Sequence, residues 1–245
     1  MSDARAIETD VEKTAQVYTG SIIKGWERLY REKRRRLFEL LSHYHVGDRA
    51  LEMGVGDGES TSHIVDAFPV VEVVDAAESF VGVIRSRFPR VVVHTSFFEA
   101  FDPPHCYGTI FMTHILEHLD DPVAVLHRAF EWLQPGGRVL ISVPNARSLH
   151  RLVGVKMGLL DSPYSLNEQD RILGHRRVYD RESMNELIAR TRFRLIHFTG
   201  LMLKPISNRQ IEQQWDERMV DAFFQFGFDF PDLCAEIIFV LERPL

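Results

Sequence analysis

The stretch Ala50-Leu-Glu-Met-Gly-Val-Gly-Asp-Gly58 decides the fold. It begins inside a β-rich run, residues 49–53, passes through three closely spaced glycines and leads into a helical pattern. Glycines there let the backbone turn sharply and approach a ligand closely, at the carboxyl end of the first strand, where open α/β sheets bind ligands. A tight turn without a ligand is the alternative interpretation of the same residues.

Two features of this loop indicate the kind of ligand. The dinucleotide pattern G-x-G-x-x-G is not satisfied, because Glu59 stands where the third glycine, counted from Gly54, is needed. Glu52 lies two residues before the first glycine, where an anion would repel a pyrophosphate but attract a cationic amino acid ligand. The loop therefore favours a sulfonium cofactor over NAD.

Short β-rich runs alternate with amphipathic helical runs along the chain, which is typical of α/β proteins. Beyond the first strand, the pattern predicts strands at 70–75, 91–95, 109–113, 138–143, 194–200 and 235–241. Helices are predicted over 22–44, from Asp121 to the Gln134-Pro-Gly-Gly stop, over 182–190, and around Trp215, Met219, Phe223 and Phe224. The basic run within the leading helix, residues 31–36, is interpreted as a solvated face rather than a phosphate-binding patch.

The length and composition fit one globular domain over 1–245. Within it we expect an N-terminal helical lid (1–45) and a cofactor-binding core (46–146). A loop-like stretch at 145–179 and a helical one at 206–232 are expected to supply two substrate-side insertions, 147–180 and 206–232, that form walls of a pocket.

Charge, hydropathy and cysteine content disfavour several classes of partner and location. A net charge of -6 disfavours nucleic acid. The sequence has no apolar run near the roughly 20 residues that cross a bilayer, and its N-terminus has no signal-peptide pattern. Its two cysteines fit neither a disulfide framework nor a zinc site. We therefore expect a cytoplasmic protein with a small-molecule substrate; a homodimer is compatible with the sequence.

Asp75 ends the second predicted strand, near the position where a carboxylate accepts hydrogen bonds from ribose hydroxyls. The alternative is that it only caps the next helix. The glycine loop upstream favours ribose binding.

Together with these residues, Thr113-His-Ile-Leu-Glu-His-Leu-Asp-Asp-Pro122 and Pro135-Gly-Gly-Arg-Val-Leu140 resemble the class I S-adenosylmethionine-dependent methyltransferases, specifically a small-molecule group with bacterial members. The resemblance implies a Rossmann-like fold, a mostly parallel seven-stranded sheet, and S-adenosyl-L-methionine as cofactor with S-adenosyl-L-homocysteine as product. It implies methyl transfer to an oxygen or nitrogen of a small metabolite, such as a sugar or natural-product intermediate. One departure is Tyr107-Gly108, where the family usually has an acid.

Carried over by position, the resemblance gives a set of cofactor-binding residues: Glu52, Met53, Gly54, Gly56, Gly58, Asp75, Ala76, Ser96, Phe97, His114, Ile115 and Leu116. His114 is the preferred catalytic candidate, as a general base, with a packing histidine as the alternative. His118 is interpreted as structural.

Three further residues are candidates for the substrate side: Tyr18 in the lid, and His175 and Tyr179 in the first insertion. A frayed terminus and a solvated loop are the alternatives for them. No metal is expected, because no tight cluster of His, Asp and Glu with ligand spacing occurs outside the family segment.

Other functions remain open from sequence alone. A module that binds the cofactor without catalysis would keep the same loop. An NAD-linked oxidoreductase is disfavoured by the missing third glycine, and a nucleic-acid methyltransferase by the acidic balance.

Overall fold

The computed structural model describes Glu12, Ala15 and residues 23–245. These form one seven-stranded sheet with the order β3-β2-β1-β4-β5-β7-β6. The strands are β1 (Arg49–Met53), β2 (Val70–Asp75), β3 (Val92–Thr95), β4 (Tyr107–Thr113), β5 (Leu133–Pro144), β6 (Arg194–Leu201) and β7 (Glu236–Glu242). Strands β1 to β5 pair in parallel, and β7 is antiparallel to both β5 and β6. The predicted mostly parallel Rossmann-like sheet is confirmed.

Nine helices of the described residues flank the sheet. They are α1 (Glu27–Ser42), α2 (Glu59–Ala67), α3 (Glu78–Arg87), α4 (Pro122–Trp132), α5 (Leu149–Lys156), α6 (Glu168–Ile172), α7 (Arg181–Ala189), α8 (Asn208–Gln214) and α9 (Glu217–Asp229). A short 3₁₀ helix, Pro231–Leu233, precedes β7.

The core lies on both faces of the sheet. Every residue of β4 is buried, which is expected for a central strand covered by helices on each side. Its side chains alternate between two apolar clusters, because successive residues of a strand point to opposite faces: Ile110 and Met112 join one cluster and Phe111 the other. This burial fixes the carboxyl end of β4, where the next loop begins.

The loop-like interpretation of 145–179 is wrong for two segments, which form α5 and α6. The polar composition is misleading because Arg151 of α5 is buried and serves as an internal anchor. It donates to the carbonyl oxygens of Pro163 and Ser165 and pairs with Asp170, with 3.1 Å between Nη1 and Oδ2. A charge that would normally face water therefore organises this insertion.

The aromatic-rich helix predicted in the second insertion is present as α9, which contains Met219, Phe223 and Phe224 but not Trp215, and a separate helix, α8, precedes it. Trp215 adopts an extended conformation after α8, and α9 begins after Asp216, whose side chain accepts a hydrogen bond from the Met219 amide at 2.8 Å. This N-cap restarts the helix, so Trp215 lies at the junction.

The strand predicted at 138–143 is also longer than expected, because β5 already pairs with β4 at Leu133, opposite Tyr107. The stop signal ends α4 as predicted but lies inside the strand that follows.

The basic run of α1 is not wholly a solvated face. Arg35 is exposed and pairs with Glu32 and Glu39. Lys33, however, is buried and forms an ion pair with Glu236 of β7. The prediction is wrong at Lys33 because the apolar stripe of α1 passes through that position.

The departure at Tyr107-Gly108 has a steric cause. A Cβ at Gly108 would lie 2.1 Å from the carbonyl oxygen of Val46, so the close approach of the chain before β1 excludes any side chain there. Thr109 supports this approach, since its hydroxyl accepts a hydrogen bond from the Val46 amide at 2.8 Å. The missing acid therefore reflects local packing.

Candidate functional site

The glycine loop joins β1 to α2 and holds the backbone in a left-handed conformation, with φ values of 74° at Gly54, 50° at Gly56 and 78° at Gly58. A Cβ at Gly54 would lie 2.1 Å from Cδ1 of Ile115, so this glycine allows the loop after β4 to pack closely. A Cβ at Gly56 would meet nothing within 4 Å. The loop thus keeps open space at Gly56, where a ligand can approach the backbone.

Glu52 lies under this loop and is fully buried. The Thr61 hydroxyl donates a 2.6 Å hydrogen bond to its Oε2, while Oε1 has no partner among the described residues. Burial raises the pKa of Glu52 to about 8. A buried acceptor without a partner is costly, so this oxygen suits a hydrogen-bond donor on a ligand, such as the amino group of S-adenosylmethionine.

Asp75 ends β2 beside the same loop. Its Oδ2 accepts a hydrogen bond from the Val55 amide at 3.0 Å, and its Oδ1 accepts one from the Ala77 amide at 2.8 Å. Ala77 is the N-cap residue of α3, which has no side-chain cap, so Asp75 fixes the turn before the helix rather than capping the helix itself. Each carboxylate oxygen keeps a second lone pair, and ribose binding by Asp75 stays a prediction.

The other positions carried over by resemblance fall into two groups. Ala76, Ser96 and Phe97 are half-buried near the ends of β2 and β3, and the Ser96 amide donates to the Asp75 carbonyl at 3.0 Å. Met53 and Leu116 are fully buried within the core. Cofactor contact by the residues of both groups stays a prediction.

His114 follows β4 with a left-handed φ of 59°, which is uncommon for a non-glycine residue. Its Nδ1 lies 3.2 Å from Oε1 of Glu117, and its Nε2 lies 2.9 Å from Oε2 of Glu236. Burial lowers the pKa of His114, but the charge of Glu236 and the contact with Glu117 outweigh that effect and raise the pKa overall. Since both nitrogens face carboxylates, this geometry favours an imidazolium ion, and a general-base role stays a prediction.

Two buried lysines, Lys33 and Lys204, were not predicted from the sequence. Lys33 pairs with Glu236, and Lys204, which follows β6, donates to Oδ1 of Asn208 at 2.7 Å. Burial, with a smaller effect of the Lys33 charge, lowers the pKa of Lys204 to about 7. The burial of Lys33 could have been predicted, because Lys33 lies on the same helical stripe as Leu29 and Leu37. No pattern in the sequence indicates that Glu236 and Lys204 are buried.

The leading helix also contacts the glycine loop directly. The Tyr30 hydroxyl of α1 donates to Oδ1 of Asp57 at 3.0 Å. Glu12 accepts a hydrogen bond from the Ser79 amide, in the first turn of α3, at 3.4 Å. Tyr18, the predicted lid residue, lies outside the described residues.

The two candidates in the first insertion both lie against the loop after β4. Tyr179 is buried and donates to the Leu116 carbonyl at 3.2 Å, which positions that loop. His175 lies beside Glu117 and His118, with one ligand atom of each within 4.8 Å of the others. Substrate contact by His175 and Tyr179 stays a prediction.

Comparison with known proteins agrees with this arrangement. Residues 25–197 match a protein family described as the methyltransferase domain. The chain belongs to this methyltransferase family. S-adenosyl-L-methionine is the cofactor of such enzymes, and the open loop at Gly56 and the unpartnered oxygen of Glu52 fit it.

Curated relatives of this methyltransferase share about half of its length. It is 32% identical over 110 residues to a probable S-adenosylmethionine-dependent methyltransferase of Mycolicibacterium smegmatis, covering 44% of this chain and 43% of that protein. It is 29% identical over 134 residues to a trans-aconitate 2-methyltransferase of Methylobacterium radiotolerans, covering 52% of each. The chain thus spans about half the length of the curated relatives it matches.

Solved structures with the same fold cover most of the chain. The N-methyltransferase NodS from Bradyrhizobium japonicum WM9 superposes with a TM-score of 0.59 at 12% identity, covering 91% of this chain and 100% of NodS. Magnesium protoporphyrin IX methyltransferase from Synechocystis PCC 6803, crystallised with bound S-adenosyl-L-homocysteine, gives a TM-score of 0.61 at 13% identity, covering 96% and 94%. Among the described residues, no helix is long and apolar enough to span a membrane.

Proposed function

We propose that this protein transfers the methyl group of S-adenosyl-L-methionine to an oxygen or nitrogen of a small metabolite. The observation that carries the proposal is the glycine loop, open at Gly56 above the unpartnered oxygen of Glu52. Methyl transfer from a sulfonium is an in-line displacement, so the protein mainly aligns the acceptor and excludes water.

The site's own residues favour an acceptor that needs no general base. Both nitrogens of His114 face carboxylates, so neither is free to take a proton from an alcohol. An amine with a free lone pair or a carboxylate oxygen can attack the methyl group directly. This chemistry supports methylation of an amine or a carboxylate.

Of these two acceptors, an amine and a carboxylate, the buried lysines favour the carboxylate. Lys33 and Lys204 bring two amino groups into the interior. Lys33 is paired with a carboxylate, whereas Lys204, whose pKa is about 7, has no carboxylate partner among the described contacts. Three curated relatives are named trans-aconitate 2-methyltransferases. We therefore propose a small carboxylic acid as the acceptor, with trans-aconitate as the first compound to assay.

Calorimetry with S-adenosyl-L-homocysteine tests the cofactor site. The parent protein should bind it, and Gly56→Arg should abolish binding because the new side chain fills the open space beside the loop. Circular dichroism establishes that the variant is folded. Absence of binding by the parent, or equal binding by Gly56→Arg, contradicts the proposal.

Turnover tests the reaction separately. With trans-aconitate, other di- and tricarboxylates and simple amines as acceptors, methylation is followed by mass spectrometry and by release of S-adenosyl-L-homocysteine. Methyl ester formation supports the carboxylate proposal. A metabolite extract is assayed in the same way. If the protein binds the cofactor but methylates neither these acceptors nor any compound in the extract, it is a non-catalytic cofactor-binding module instead.

A further inference from the structure

We propose that Glu117, His118 and His175 form a binding site for a divalent transition-metal ion of the Zn²⁺ class. One carboxylate oxygen and one nitrogen from each of the two imidazoles lie within 4.8 Å of one another. Nitrogen and carboxylate ligands in this combination suit Zn²⁺ and its neighbours, Mn²⁺, Fe²⁺ and Co²⁺. The proposal concerns metal binding alone and does not depend on the acceptor proposed above.

The fold brings these ligands together from two distant segments. Glu117 and His118 lie in the loop between β4 and α4, and His175 lies in the first insertion between α6 and α7. The Arg176 amide donates to the Glu117 carbonyl at 2.9 Å, so a backbone hydrogen bond aligns the two segments at the cluster. The ring centroids of His118 and His175 are 4.8 Å apart in an edge-on arrangement.

Glu117 supplies the observation that points to a cation. It is fully buried, and neither carboxylate oxygen accepts a well-aligned hydrogen bond from the described residues. Its closest polar contact is the 3.2 Å approach of His114 Nδ1 to Oε1. The imidazolium ion of His114 compensates this charge in part, but Oε2 has no hydrogen-bond partner among the described residues, and a metal ion would coordinate it.

The surroundings of His175 match the usual support of a metal ligand. Its Nδ1 lies 3.2 Å from Oδ1 of Asp170, and Asp170 is itself fixed by Arg151 and by the Asn167 amide, which donates to Oδ2 at 3.0 Å. Carboxylates in contact with ligand histidines fix the orientation of the ring. Arg151, which anchors the first insertion, therefore also positions the proposed ligand His175 through Asp170.

Three protein ligands leave coordination positions for water or for an oxygen atom of a bound molecule, as in catalytic rather than structural zinc sites. Glu117 is the buried ligand, whereas His118 and His175 are half-buried as residues.

The test uses the untagged 245-residue chain, treated with a chelator and dialysed. Co²⁺ is titrated while its visible ligand-field absorption is recorded, and Zn²⁺ binding is measured by calorimetry in parallel. We expect one equivalent of each ion to bind. His175→Ala and Glu117→Gln should each weaken binding by at least about tenfold, because each removes one of three ligands.

The matched control is His127→Ala, which removes an exposed histidine of α4 and should bind Co²⁺ and Zn²⁺ like the parent. Circular dichroism and thermal melting accompany every variant. Because Glu117→Gln changes a buried group, His175→Ala decides the outcome if Glu117→Gln fails to fold. Absence of a Co²⁺ spectrum in the parent, or equal affinity in the parent and His175→Ala, overturns the proposal.

Discussion

Lys33 of α1 and Glu236 at the start of β7 form a buried ion pair that fastens the leading helix to the sheet. Glu236 also contacts His114 Nε2, so the pair connects α1 to the loop after β4. The charge of Lys33 contributes to lowering the pKa of Glu236 well below its ordinary value, although burial acts in the opposite direction.

Lys33→Met should destabilise the protein by about 3–5 kcal/mol, because it leaves Glu236 buried without its main cation. Urea unfolding measures the change in free energy. Lys24→Met, which replaces an exposed lysine just before α1, should stay within about 0.5 kcal/mol of the parent. Equal effects of the two substitutions would show that the ion pair does not fix α1.

Two glycine substitutions should change the stability of the fold in opposite directions. Gly108→Ala should destabilise the fold by more than about 1 kcal/mol, because its Cβ would overlap the backbone carbonyl of Val46, which cannot move aside. Gly82→Ala should stabilise it by about 0.5–1 kcal/mol, because Gly82 lies in α3 with nothing within 4 Å of a new Cβ. Thermal unfolding of both variants checks the pair, and a stable Gly108→Ala would contradict the steric explanation of the departure at this position.

The raised pKa of Glu52 predicts a specific pH dependence of stability. The folded protein keeps the Glu52 proton up to about pH 8, whereas the unfolded chain releases it near the ordinary value of 4.5. The folded state thus binds more protons over this range, so rising pH reduces stability, by up to about 1.4 kcal/mol per pH unit, and the loss levels off above pH 8.

Glu52→Gln removes this titration and can still accept the Thr61 hydrogen bond. Its stability relative to the parent should therefore increase between pH 5.5 and pH 8, as measured by urea unfolding at several pH values. Glu99→Gln, at an exposed glutamate, should follow the parent throughout. A constant difference between Glu52→Gln and the parent across this range would mean that Glu52 is ionised in the folded protein.

The sequence predicted those parts of the fold and site that depend on local patterns. The glycine loop, the strands β1 and β2 and the start of α4 at Asp121 follow from turn residues, periodicity and capping. The pairing of Lys33 with Glu236 and the approach of His175 to Glu117 depend on how distant segments pack. Spacing along the chain therefore could not indicate them. No metal is expected from the sequence because spacing shows only which possible ligands are close together along the chain.

The hydrogen bond from Tyr30 to Asp57 predicts that α1 influences cofactor binding through the glycine loop. Tyr30→Phe removes the hydroxyl and keeps the ring, so it should destabilise the loop by about 1 kcal/mol and weaken S-adenosyl-L-homocysteine binding by up to about fivefold. Calorimetry measures the affinity. The matched control is Tyr164→Phe, which also removes a tyrosine hydrogen bond to an aspartate, Asp180 Oδ2 at 2.6 Å, but in the first insertion. Its affinity should equal that of the parent, because Asp180 caps α7 rather than shaping the loop at Gly56. If both variants lose affinity equally, or neither does, α1 does not act on the cofactor site through Tyr30.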